Sequence, residues 1–294
     1  SLREAAAPVL ADLSRTIAPT RYFSILTDAQ GVVVDVGGAP DRRQRAVQAI
    51  ARIGVDLSEG SVGTTAISAA LTERHPVWLH RGEHFFEATS VYSCAGAPIF
   101  GPDGRCAGML DLTGVQAEER PELRHLAAQM AQRVEQALLL ALPHQRLLQV
   151  QWPGPAAAAN AGLLAVDGDA VIVGADRVAC AMLGLRLDAA AQSFGSLEDS
   201  FATASGRLMS LRAGQAPRCV PLWSGLQVLV AVARPGKEGG LEPQRAAPAR
   251  LRDTETDLIR RAVEDARGNV AEAARRLGIS RATVYRRLAQ GRVR

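Results

Sequence analysis

A chain of 294 residues that is 47% hydrophobic and 22% charged carries enough apolar material for two or three packed domains and is not the composition of a disordered chain. No run approaches the roughly eighteen apolar residues of a membrane span, and the opening SLREAAAPVL lacks the basic start, apolar core and cleavage site of a secretory leader. The net charge of +4 is unevenly placed: residues 250–294 hold twelve arginines against six acids, a net of +6, and the rest of the chain carries −2. A basic end on a near-neutral body points to a polyanionic partner.

The four cysteines, Cys94, Cys106, Cys180 and Cys219, form no CxxC pair and no zinc spacing, and read as reduced thiols in a cytoplasmic protein. In chain order, residues 1–20 place Leu2, Ala6, Val9, Leu10, Leu13 and Ile17 on one helical face. Strands follow at 22–28 and 32–38 around an Ala29-Gln30-Gly31 turn, then a helix at about 41–53. Next come SEGSVGTTAISAALTERHPV, a strand at 77–80 and a hairpin turned at GPDG, Gly101 to Gly104. With Phe100 opposite Arg105 in that hairpin, Asp111 falls opposite Cys94. These elements make one α+β domain over residues 1–117 with an antiparallel sheet.

Residues 118–150 read as a long coupling helix. Leu123, Met130 and Ala137 interleave with Ala127, Val134, Ala141 and Leu148 at heptad spacing, which fits packing on its own domain or a two-chain coiled coil. WPGPAAAAN is a hinge. Residues 155–235 hold a second α+β domain, with strand pairs around Asp167-Gly168-Asp169 and in CVPLWS and LQVLVAVARP. Residues 236–250, rich in Gly and Pro, are a flexible linker.

The glycines and serines of Ser58 to Thr65 raise the question of a nucleotide loop. A P-loop needs a lysine that reaches the phosphates. Lys237 is the only lysine in the chain, and Glu238 follows it in the linker. A P-loop ATPase is therefore excluded, and a lysine-free anion site at the helix start stays open.

Residues 251–294 carry the chemistry. A helix at about 254–266 is stopped by Gly268, Asn269 caps a second helix over 270–277, and Gly278 reverses the chain. Ser280 caps a third helix over 281–289. Ala273, Ala274, Leu277, Ile279, Val284 and Leu288 supply a core small enough for two crossing helices, which is helix-turn-helix geometry. Arg281 and Thr283, at the start of the recognition helix, are placed to read base edges. Asn269, Ser280, Tyr285, Arg286 and Arg287 are placed to hold phosphates. One such unit reads few base pairs, so a dimer on double-stranded DNA is expected.

This segment resembles the Fis-type helix-turn-helix that ends bacterial enhancer-binding activators. LSEGSVGTTAISAALTERHPV, GEHFFEATSVYSCAGAPIFGPDGRCAGMLDLTG and the strand pair from Tyr22 to Gly38 resemble the GAF sensor domain of the acetoin-catabolism regulators, and GLLAVDGDAVIVGADRVACAMLGL resembles a PAS module. The fold implied is multidomain α+β: a GAF-like antiparallel sheet with flanking helices, a PAS-like domain and an all-α Fis-type unit. The family's ATPase domain, which remodels polymerase, has no counterpart here; only the linker stands in its place.

GAF domains hold small ligands between sheet and helices. The resemblance puts His84, Phe85, Phe86, Tyr92 and Cys94, with Asp111 on the paired strand, at such a site. His75, His80, His84 and Cys94 lack metal-ligand spacing, and neither metal nor cofactor is expected. The leading reading is a non-enzymatic, one-component transcription regulator that binds DNA and a small effector, with RNA polymerase as a further partner and no membrane contact. An architectural DNA-binding protein with non-sensing dimerisation domains is the alternative, and a cysteine-based reductase in the GAF fold is a third.

Overall fold

The computed structural model describes residues 1–154, 161–186 and 193–233, together with Val270 and Ala274. By internal contacts residues 1–243 form one unit and 244–294 another. The first unit is α+β, with two five-stranded antiparallel sheets.

The chain opens with α1 (Leu2–Ile17), started by a capping box in which the Ser1 hydroxyl accepts the Glu4 N–H and the Glu4 carboxylate accepts from the Ser1 ammonium at 3.0 Å. Ala6, Val9, Leu10, Leu13 and Ile17 are buried along one face, with Leu2 packed partly against them. The first sheet runs β2-β1-β5-β4-β3, from β1 (Tyr22–Asp28), β2 (Val33–Gly37), β3 (Val77–His80), β4 (Tyr92–Phe100) and β5 (Cys106–Val115). The Asp28 carboxylate accepts the N–H groups of Gln30 and Val32, both at 2.9 Å, and closes the β1–β2 turn.

Both faces of this sheet are covered. Leu26, Ala95, Ala97, Leu110 and Leu112 pack under α1 and α5 (Leu123–Leu140). Phe23, Ile25, Cys94 and Met109 face α2 (Arg45–Ile50) and α4 (Ala66–Glu73), with the short α3 (Glu59–Val62) before α4.

Two sequence expectations change here. The long helix ends at Leu140 instead of Val150, because Pro143 disfavours helical backbone at Leu142. Residues 146–151 are β6 (Arg146–Gln151), the middle strand of the second sheet. The heptad residues Leu123, Ala127 and Val134 are buried in the core of their own domain. The hairpin register also differs: Phe100 pairs with Cys106 instead of Arg105, a bulge between Ile99 and Phe100 adds one more residue, and Cys94 therefore lies opposite Thr113 and Asp111 opposite Gly96.

The second sheet runs β8-β7-β6-β10-β9, with β7 (Gly162–Val166), β8 (Ile172–Ala175), β9 (Arg218–Pro221) and β10 (Gln227–Val232). The three short helices α6 (Arg177–Leu183), α7 (Leu197–Ser200) and α8 (Ser205–Met209) add Ala179, Leu197 and Leu208 to its core. Asp167 closes the β7–β8 turn as Asp28 closes the first, accepting from Asp169 and Val171 at 2.9 Å. Leu148 of β6 is fully buried between Leu164 and Val232. Leu148→Ala is expected to lower unfolding free energy by about 2–5 kcal/mol in urea melts, whereas the same change on an exposed helix turn stays within about 0.5 kcal/mol.

Candidate functional site

The hairpin β4–β5 builds a polar row inside an otherwise apolar layer. Strand alternation turns Tyr92 and Cys94 on β4, and Asp111 and Thr113 on β5, toward the α2 and α4 side. The Cys94 thiol donates to the Thr113 hydroxyl at 3.7 Å, and that hydroxyl donates to one oxygen of Asp111. The Tyr92 hydroxyl donates to the Ala46 carbonyl at 2.9 Å, and the His84 ring meets the Tyr92 ring edge-on with centroids 6.5 Å apart.

Two buried atoms of the row have no partner: Asp111 Oδ1 and His84 Nε2. Asp111 is 1% exposed, and burial pushes its carboxyl up to about 6, against the lowering effect of the Thr113, Cys94 and backbone hydrogen bonds. Burial also holds His84 below the ordinary histidine range, so the ring is neutral; with Nδ1 bonded to the Arg81 carbonyl at 2.9 Å, Nε2 is left as an acceptor. Burial, with the Asp111 charge next, raises the Cys94 thiol well above its usual range, and burial likewise raises Cys106. A raised thiol disfavours the thiolate that a cysteine nucleophile needs.

The glycine-rich stretch serves this layer. Gly96, opposite Asp111, lets α4 approach: a Cβ there would sit 2.8 Å from the Ala66 carbonyl oxygen. Gly63, at φ 72°, leaves room for the Phe86 ring, which a Cβ would meet at 2.5 Å. The hydroxyls of the stretch are already used: Ser61 donates to Asp56, and Thr64 donates to Glu59 at 2.8 Å. With Asp56 and Glu59 there, Ser58 to Thr65 is a seat for Phe86, and it does not suit an anion.

Of the residues singled out for ligand binding, His84, Tyr92, Cys94 and Asp111 come together. Phe85 and Phe86 do not: they are 71% and 48% exposed and pack edge-on against each other. Thr113 was missed, although its place two residues beyond Asp111 on one strand puts both on one face. A small cleft of about 210 Å³ opens beside the row, lined by Arg21, Phe23, Asp41 and Val47 with Val115, the partner of Tyr92. None of the six expected residues lines it. Its Asp41 already accepts from the Arg43 backbone and the Gln44 side chain. Among the described residues no helix is long and apolar enough to cross a membrane.

The seven residues assigned to DNA, Asn269, Ser280, Arg281, Thr283, Tyr285, Arg286 and Arg287, lie outside the described residues. Val270 and Ala274 are helical, one turn apart, with Ala274 buried, as the expected second helix requires.

Residues 250–291 match the model of the Fis family of bacterial regulatory proteins, and residues 1–136 match the N-terminal domain of MimR. The chain is similar to the acetoin and MimR activators over part of its length, with a Fis-family match at its basic end. The acetoin dehydrogenase operon transcriptional activator AcoR of Bacillus subtilis is 33% identical over 45% of this chain and 22% of its own. The propane 2-monooxygenase operon transcriptional activator MimR of Mycolicibacterium smegmatis is 31% identical over 58% of this chain and 30% of its own. The chain thus matches less than a third of the length of these relatives. Among solved structures, the DhaR(N) and DhaL complex of E. coli aligns with 79% of this chain and 85% of that one, at 16% identity and a TM-score of 0.44.

The raised Asp111 carboxyl has a signed consequence. Its protonated form is favoured by the fold, so its stability contribution is complete below the ordinary carboxylate range and is lost as pH rises through about 6. Asp111→Asn removes that loss. Thermal melts are expected to show wild type losing ground to the variant between pH 4 and 7, by of order 2 kcal/mol.

Proposed function

We propose that this chain is a one-component, sequence-specific transcription regulator that binds double-stranded DNA as a homodimer and responds to a small molecule without hydrolysing ATP. The observation that carries the reading is the coincidence of the Fis-family match with the arginine-rich end of the chain. Only residues 236–250 separate the second domain, which we read as PAS-like, from that segment, too few for an ATPase, and the chain has no P-loop lysine. It acts in the cytoplasm, is not an enzyme, and meets RNA polymerase from its DNA site.

The polar row is the sensing site in this reading. An unpartnered carboxyl oxygen in an apolar layer with no cationic side chain in the row favours a small neutral molecule that donates a hydrogen bond. Acetoin, after which two relatives are named, has such a hydroxyl and is the first effector to test.

Gel shifts on DNA flanking the chain's own gene test the reading, with and without millimolar acetoin. Arg281→Ala is expected to cost about 1–3 kcal/mol on the specific site and relax preference at one base pair. Arg287→Ala should weaken binding to all sequences and flatten the salt slope by about one. Binding indifferent to sequence in wild type would instead support the architectural alternative. A DNA affinity that acetoin leaves unchanged in wild type and in Asp111→Asn would remove acetoin as the effector.

A further inference from the structure

The hairpin that carries the polar row does not end in solvent. Its tip docks on the second sheet. The Phe100 N–H donates 3.0 Å to the carboxylate of Glu135, a residue of α5 that is 3% exposed. Arg177, the first residue of α6, lies 4.0 Å from the same carboxylate and holds its guanidinium 5.3 Å from the centre of the Phe100 ring. The Pro102 carbonyl accepts the Ala175 N–H at 3.0 Å. Gly174 of β8 packs so closely that a Cβ would come within 2.6 Å of Leu142, 2.8 Å of Leu139 and 3.2 Å of Pro102. Three elements of the first domain's end, β4, the turn and α5, thus meet β8 and α6 around one buried carboxyl, which burial pushes up to about 7.

The path from the row to this joint is one continuous ladder. β4 and β5 pair without interruption from Cys94 and Thr113 to Ile99 and Gly108, and the only irregularity is the bulge at Phe100, where the joint begins. Paired strands covered on both faces move as a unit, whereas a bulge is a place where a strand can re-aim. The joint is held by few bonds. Its buried carboxylate has one charged partner, and that partner's side chain is 42% exposed. Next to Arg177, Asp176 caps α6 through the Ala179 N–H, at 2.7 Å, and leaves its other oxygen without a partner. The polar centre of the joint is undersatisfied, whereas the Leu139 and Leu142 packing beside it is apolar and close, so the polar contacts are the part that can loosen.

We propose that Glu135, Arg177 and the Phe100–Pro102 tip form a clamp through which the state of the polar row on β4–β5 sets the docking of the second domain. This rests on the row being the sensing site. The residues act as positioning groups and touch no ligand.

Hydrogen exchange on the full chain, read by NMR or fragment mass spectrometry, tests it. Arg177→Met keeps the aliphatic stem and removes the guanidinium. It is expected to raise exchange at the Ala175 and Phe100 amides at least tenfold, while the central Leu148 amide is unchanged. Asp111→Asn, which removes the buried charge from the row, is expected to slow exchange at Ala175 at least threefold in the wild-type background and to have no effect there in the Arg177→Met background. Glu135→Gln retains the acceptor for Phe100 and repeats the test should Arg177→Met fold poorly. An Ala175 amide indifferent to both clamp variants overturns the clamp. An Ala175 amide that responds to the clamp variants but not to Asp111→Asn overturns its link to the row. Neither measurement needs an effector, so the sensing reading itself is decided separately by the gel shifts.

Discussion

The pairing of β5 with β1 on one edge and β4 on the other is the constraint on which the rest of the first domain depends. Both of its faces are covered, Leu110 and Leu112 by α1 and α5, Met109 and Val115 by the α2 and α4 layer. A strand in that position has no solvent on either face, so a polar side chain on it must be satisfied by its neighbours or bear the cost of burial. Thr113 meets that demand through Cys94 and Asp111. Asp111 meets half of it. The unpartnered oxygen and the raised carboxyl follow from one placement, a carboxyl on an enclosed hairpin, and His84 is buried beside it from the loop before β4.

Much of this was legible in the residues, for reasons that can be named. The α1 face follows from apolar residues at helical spacing, and the β1–β2 turn from an aspartate positioned to accept two backbone N–H groups, each a local signal. β6 was hidden for the opposite reason. Leu148 continues the heptad of α5 by coincidence of spacing, and RLLQVQ is buried on both faces at Leu147 and Leu148, so it lacks the alternation that marks a half-exposed strand. The only local hint was Pro143, which stops the helix.

The candidate site was legible in its members and not in its geometry. The aromatic, His and Cys positions of EHFFEATSVYSC read alike in sequence, yet His84 turns inward and Phe85 outward, because the segment is two short 3-10 turns, Arg81–Glu83 and Glu87–Thr89, without a long-period face. The partner of Asp111 was displaced by two residues, one from a turn that pairs Phe100 with Cys106 and one from the bulge beside it, and pattern reasoning registers neither since they change pairing without changing composition.

α5 joins these threads. Its Leu123, Ala127 and Val134 complete the core of the first domain, and its Leu139 packs with Leu147, Leu163, Ala165 and Ala233 in the second. Glu135 sits between the two sets on the same helix. Residues already buried in these two cores cannot also form the seam of a two-chain coiled coil. The helix that the heptad spacing offered as a link between two chains is therefore spent, over most of that seam, on holding two domains of one chain together. Any dimer of this chain must draw on other surfaces, and any rearrangement of α5 would be felt in both cores at once.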